Sequence, residues 1–87
     1  MEIKGTLIKK LAIQTGEGKK GTWQKQEFII ETIGEYPKKV CFNLFGKKVE
    51  LIKNLEIGAS INVHFNINSR EFNDKWYTQA EAWKVDA

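Results

Sequence analysis

The sequence predicts an all-β fold, a small closed barrel with one short helix inserted late in the chain. Three observations carry this prediction. In the run Ile61-Asn62-Val63-His64-Phe65-Asn66-Ile67 every second residue is apolar, the period of a strand with one buried face. The run from Lys39 to Phe45 alternates in the same way, with Val40, Phe42 and Leu44 on one face and Lys39, Cys41, Asn43 and Phe45 on the other. Between these runs Val49, Ile52 and Leu55 stand three apart, with Leu51 alongside, a helical stripe about two turns long.

The remaining elements follow in order. Glu2 to Ile13 is rich in β-branched and aliphatic residues and reads as a first strand, with Gly5 a bend or bulge. Gln14 to Gly21 holds three glycines and two lysines, a turn with Lys19 and Lys20 at its tip. Thr22 to Ile33 is a second strand, hairpinned back on the first. Its Phe28 and Ile30 share one face; Lys25, Glu27, Ile29 and Glu31 share the other. Gly34 to Pro37 is a turn, Lys38 to Phe45 the third strand, and Lys47 to Asn54 the helix. Gly58 restarts the extended pattern. Asn73-Asp74 is a turn pair, and Trp76 to Val85 is the last strand, with Ala80 and Ala82 on one side and Tyr77, Glu81 and Trp83 on the other.

Strand, strand, strand, helix, strand, strand within 87 residues fits a single domain over residues 1–87. The expected architecture is a five-stranded OB-fold barrel whose short α-helix, between the third and fourth strands, plugs one end. An SH3-like barrel, the main rival, usually lacks a helix at that place. A chain of this length can bury one modest core. The net charge of +3 suits a polyanion partner without selecting one. The single cysteine, Cys41, cannot form an internal disulfide, so nothing points to an oxidising compartment. No apolar run approaches the ~20 residues that span a bilayer, and the start, Met1-Glu2-Ile3-Lys4, has no signal-peptide stretch. The expectation is a cytoplasmic protein.

Catalytic motifs are missing. The sequence holds no phosphate loop, no nucleophile elbow and no Cys/His metal pattern. His64 stands alone among asparagines and lies well apart in sequence from Cys41, whereas a metal site needs clustered donors. We expect no enzyme, no cofactor, no metal and no small-molecule substrate.

Binding chemistry is better represented. Single strands are held by a basic groove along the backbone and by flat side chains that stack on bases. Trp23, Phe45, Phe72 and Trp76 are the stacking candidates. Lys19, Lys20, Lys25, Lys38, Lys39, Lys47, Lys48 and Arg70 are the phosphate candidates. Each has a plainer reading. Trp76 and Trp83 could cover the open ends of a barrel, Trp23 could edge the core, Phe45 could pack under the helix, and paired lysines are usually solvated charge. Glu27 and Glu31, on the outer face of the second strand, would repel phosphate.

The run Phe42-Asn43-Leu44-Phe45-Gly46-Lys47, a helix, Gly58-Ala59-Ser60-Ile61-Asn62-Val63, then Ser69-Arg70-Glu71-Phe72 and Trp76-Tyr77-Thr78 resembles the bacterial single-stranded-DNA-binding protein family. Gly18-Lys19-Lys20-Gly21-Thr22-Trp23 and Tyr36-Pro37-Lys38-Lys39-Val40-Cys41-Phe42 are similar to short bacterial and phage proteins of an uncharacterised family with the same layout. The second resemblance covers nearly the whole chain, the first mainly its second half. The DNA-binding resemblance implies that Phe45, Arg70 and Phe72 contact the strand. Where that family stacks a tryptophan from its third strand, this chain has Lys39, so that platform is absent. It also implies a homo-oligomer, since those binders pair through the first strand. Their acidic-tipped recruiting tail has no counterpart in a chain that stops at Ala87. The expected function is non-catalytic binding of single-stranded nucleic acid, DNA first with RNA open, at low sequence specificity. The alternative is a protein-interaction OB module or a subunit of a larger complex.

Overall fold

A computed structural model describes residues 1–19 and 21–87. The strands are β1 (Glu2–Lys10), β2 (Gln14–Gly18), β3 (Gly21–Thr32), β4 (Lys39–Phe45), β5 (Ser60–Phe72) and β6 (Lys75–Asp86), with one helix, Gly46–Ile52, between β4 and β5. Five of these strands close a ring in the order β1, β5, β6, β4, β3 and back to β1, while β2 lies outside it and extends β3. The neighbours are antiparallel except β4 and β6, which run parallel and pair only at Asn43 and Glu81. The ring is therefore closed at that seam by a single point of strand pairing.

The core lies inside the ring. Leu7, Phe28, Ile30, Phe42, Leu44, Val49, Ile52, Ile61, Val63 and Ala82 are buried, the alternate residues that the strand period assigns to one face. Phe42 sits between two other rings, with centroids 5.4 Å from Phe28 and 5.0 Å from Phe65. Burying each such side chain contributes roughly 1.5–3 kcal/mol. Leu7 also anchors the segment before β5. Its carbonyl accepts from Gly58 N at 2.7 Å and its N–H donates to the Ala59 carbonyl at 2.9 Å.

The fold departs from the sequence reading at four places. Gln14 to Gly18, expected as part of a turn, is a strand paired with Lys25 to Gly21. The helix is 3-10, not α. Three residues per turn eclipse positions i and i+3, so Val49 and Ile52 both face the core, which the three-residue spacing already contained. Gly5 is no bulge. It pairs with Thr32 of β3 and Ile61 of β5, and the irregularity in β1 falls between Leu7 and Lys9. A Cβ on Gly5 would stand 2.6 Å from the Glu31 carbonyl oxygen, so glycine here permits close approach of two backbones. Ile67, expected in the core, is exposed. From Asn66 onward β5 runs beyond the ring with its partner β6, and on the inward face of that arm Ala80 still packs against the core while Ile67 opposite it does not.

Candidate nucleic-acid interface

The outer face of β3 and β4 is a ladder of directly opposed residues: Lys25 with Phe45, Glu27 with Asn43, Ile29 with Cys41, and Glu31 with Lys39. Opposed side chains in such a pair lie close enough to interact. The Lys25 ammonium sits 5.9 Å from the Phe45 ring centroid, within cation–π range. A base stacking on that face of Phe45 has to displace the ammonium. Glu31 stands opposite Lys39, so that cation faces a carboxylate.

Cys41 Sγ donates to Glu27 Oε2 at 3.4 Å. Partial burial, then the hydrogen bond to Glu27 and its negative charge, push the thiol above its ordinary pKa, against a smaller pull from Lys25. The group is therefore a protonated donor at neutral pH and not a nucleophile.

Two hairpin arms flank this face. At the β2–β3 arm Trp23 pairs with Gly16, and a Cβ on Gly16 would collide with the indole, so the ring lies over the glycine. Trp23 is half exposed and continues the face that carries Lys25 and Glu27. Lys19 is exposed at the tip of this arm; Lys20 lies outside the described residues. The β5–β6 arm turns through Asn73 and Asp74 at φ 50° and 63°, the two positive values of a tight hairpin turn. Its residues split between two faces. Ile67, Ser69 and Glu71 pair with Ala80, Thr78 and Trp76, while Asn68, Arg70 and Phe72 pair with Gln79, Tyr77 and Lys75. Arg70 and Phe72 thus share a face, and Trp76 is on the other, although the sequence placed all three in one site. Phe72 and Trp76 are each 67% exposed. Lys47 is exposed on the 3-10 helix just after Phe45.

A cleft of about 420 Å³ opens where β4 and β6 part, lined by Lys25, Glu27, Cys41 and Asn43 on one wall and Trp76, Tyr77, Thr78, Gln79 and Ala80 on the other. Its origin is the seam. Above the single pairing of Asn43 with Glu81, β6 leaves β4 to form the arm. Asn43 is the only buried residue of that lining, at 6% exposure, and its Oδ1 has no hydrogen-bond partner among the described residues. A second cavity, about 360 Å³, lies between the β1–β2 bend and the 3-10 helix. Several of its polar groups are already used. Lys10 Nζ donates to Leu55 O at 2.6 Å, Gln24 Nε2 to Gly46 O at 2.9 Å and Gln26 Nε2 to Leu11 O at 2.9 Å. Those bonds hold the helix and the bend onto the barrel, which makes that cavity a structural joint. In the cleft, Glu27 accepts from Cys41, and the buried Asn43 Oδ1 is left without a partner among the described residues.

Of the residues proposed from sequence, Lys25 and Trp76 line the cleft, Phe45 touches Lys25, and Trp23 extends the same face. Arg70, Phe72, Lys19, Lys39 and Lys47 lie outside its lining. Glu27 and Gln79 were missed as site residues, whereas Asn43 belongs to the outward face of Lys39 to Phe45 that the sequence offered as a surface. The signal for Asn43 was a polar residue set between buried Phe42 and Leu44, but an alternating strand assigns such a residue to solvent. Trp83 is outside the cleft and lies against His64, ring centroids 5.3 Å apart. His64 is held between Glu2, 3.3 Å from Nδ1, and Asp86, 2.9 Å from Nε2. No helix of the described residues is long and apolar enough to cross a membrane.

The profile of a family described as "Domain of unknown function (DUF3127)" matches residues 2–86. No curated protein matches the chain. Solved structures do. The mitochondrial single-stranded DNA binding protein Rim1 of S. cerevisiae superposes with a TM-score of 0.75 at 10% identity, covering 99% of this chain and 90% of its own. The SSB domain of a Synechococcus protein gives 0.70 at 12% identity over 100% and 92%. The N-terminal domain of PriB from Thermoanaerobacter tencongensis, described as dimeric, gives 0.66 at 17% identity over 99% and 91%. At these identities the likeness is one of fold, and the fold is the OB type that the order of elements predicted.

Proposed function

We propose that this chain, which belongs to the DUF3127 family, binds single-stranded DNA with little sequence specificity and without catalysis. The observation that carries the reading is the cleft at the β4–β6 seam, with Lys25 and Trp76 in its lining and Trp23 and Phe45 exposed on the outer face of β3 and β4 beside it. The fold supports it, since two of the similar structures are described as single-stranded DNA binding or SSB proteins. Trp76 on one wall and Trp23 along β3 supply stacking surfaces, worth roughly 1–3 kcal/mol per base. Lys25 at the cleft, with Lys19, Lys39, Lys47 and Arg70 around it, supplies phosphate contacts. About four such contacts give a salt slope near −3 for a single strand. A dimer is part of the same proposal, and light scattering that returns a monomer mass would remove it.

The test is tryptophan fluorescence during titration with a mixed-sequence oligonucleotide at low and physiological salt. The expected result is quenching that saturates, weakens with salt and exceeds that produced by a duplex. An unchanged signal at low salt would refute the proposal. One observation favours a second reading, a protein-docking module: Glu27 and Glu31 lie on the very face that would meet phosphate. Under that reading the cleft would bind a basic peptide, and nucleic acid would leave the fluorescence unmoved.

A further inference from the structure

We infer that the cleft at the β4–β6 seam is a nucleobase subsite that selects bases carrying an exocyclic amino group, and disfavours thymine and uracil. The inference rests on the single-strand reading above and specifies which base enters.

The argument starts from the cleft's deepest residue. Asn43 is nearly buried and its Oδ1 lacks a donor among the described residues. Buried amide oxygens are normally paired, so a ligand that supplies an N–H here gains a bond without displacing one. Directly opposite on β3 stands Glu27. One of its oxygens accepts the Cys41 thiol, and an ionised carboxylate accepts several donors and gives none. The floor and near wall thus offer a carboxylate beside an amide oxygen, with Cβ atoms about 4.5–5.5 Å apart for an opposed pair.

An asparagine amide alone does not discriminate strongly. It can donate and accept, and it pairs with the donor–acceptor edge of any base. The carboxylate changes this. Cytosine offers its N4 amino group and adenine its N6 amino group, and acidic side chains accept from the former as asparagine does from the latter. Thymine presents carbonyl oxygens on both sides of its single N–H, and a carboxylate repels a carbonyl. The wall opposite is the edge of β6, bordered by Trp76 on one face of the arm and Tyr77 on the other, so one ring stacks on the base, and Lys25 at the same cleft meets the phosphate. Glu27, which seemed to oppose nucleic acid when judged by charge alone, becomes the reading group.

The experiment compares oligo-dC with oligo-dT of equal length, about a dozen nucleotides to suit one OB domain, by fluorescence anisotropy at slightly alkaline pH where oligo-dC stays unfolded. The two strands carry equal charge and pyrimidine rings of similar size, so phosphate contacts and stacking cancel in the ratio. Oligo-dC should bind about tenfold tighter, since one well-made base contact discriminates by roughly that factor or more. Glu27→Gln should bring the ratio close to one while oligo-dC binding persists. Equal affinities in the unsubstituted protein, or a preference for oligo-dT, would overturn the inference and leave single-strand binding in place. Binding of neither strand would overturn the function and the subsite together. A ratio untouched by Glu27→Gln would also overturn it, because the selectivity would then come from elsewhere.

Discussion

Replacing Asn43 with leucine should make this protein more stable and a poorer binder. Asn43 is 6% exposed, flanked in sequence by the fully buried Phe42 and Leu44, and its Oδ1 has no partner among the described residues. A buried acceptor left unpaired costs about 1–3 kcal/mol. Leucine has nearly the same shape, carries no polar atom to desolvate and adds apolar area beside the seam. The net gain is about 1–2 kcal/mol. For a domain of 87 residues each kcal/mol moves the melting temperature by about 4–8 °C, so Asn43→Leu should melt about 5–15 °C higher. Circular dichroism melts read this directly, and urea titration should show a higher midpoint at unchanged slope, since the surface exposed on unfolding is nearly the same. A melting temperature lowered by several degrees would refute the reasoning. It would mean that the amide oxygen is satisfied in the free protein, and the open acceptor in the cleft would disappear with it.

Four further outcomes are expected. Trp76→Ala should weaken oligonucleotide binding by about fivefold to a hundredfold, the loss of one stacked base, with the melting temperature unchanged because the ring is 67% exposed; a lowered melting temperature with unaltered affinity would return Trp76 to a structural role. Phe72→Ala and Arg70→Ala, which sit together on the other face of the arm, should each have a smaller effect than Trp76→Ala, and an equal or larger loss would move the strand's path to that face. Gly5→Ala should lower stability by about 1–3 kcal/mol, measured in urea, because the added carbon meets the Glu31 carbonyl oxygen at 2.6 Å and only backbone can yield. The Cys41 thiol should be alkylated with a midpoint above that of a free cysteine, since burial and Glu27 raise its pKa. The protonated form is the one the fold favours, so this group costs no stability below its unfolded pKa and begins to cost as pH rises past it; Glu27→Gln should bring the midpoint down.

The parts of this protein that were legible in the sequence are those governed by local period. Phe28, Ile30, Phe42, Leu44, Ile61 and Val63 stand at every second position of their strands, with Ile29 the one apolar residue between such a pair, and all are buried. The spacing of Val49 and Ile52 disclosed a helix, although three is also the period of a 3-10 turn, and that is the form it takes. Two things were not legible. One is the end of the barrel along each strand. Ile67 continues the pattern of Val63 and Phe65 without a break in sequence, yet β5 has by then left the core. The other is any pairing between segments far apart in the chain. Asn43 and Glu81 meet across the seam, and neither residue carries a mark of the other. A single-residue irregularity adds to this. His64 pairs with Lys84 and Phe65 with Ala82, so Trp83 is an extra residue that shifts the face of everything after it. Trp76 and Phe72 fall on opposite faces of the arm for a reason of the same kind, since Phe72 pairs with Lys75 across the turn, not with Trp76.

The seam is where these limits meet, and this is no accident of topology. Antiparallel neighbours in the ring pair along many residues, as β3 with β4 from Lys25 to Glu31, and such edges leave no gap. The parallel contact of β4 and β6 joins strands that diverge at once, so the barrel opens there by construction. A sequence selected for stability alone would fill the base of that opening with an apolar side chain, as it does on the inward face with Phe42 and Leu44. This sequence keeps an amide with an open oxygen, and places a carboxylate opposite it. Local rules are commonly broken at functional positions, where stability is given up for a poised contact. That is the physical ground for proposing the cleft as the site over the cavity between the β1–β2 bend and the 3-10 helix: several polar groups of the one are spent on hydrogen bonds within the fold, and the other holds a buried amide oxygen without a partner among the described residues, at a cost in stability that a ligand would relieve.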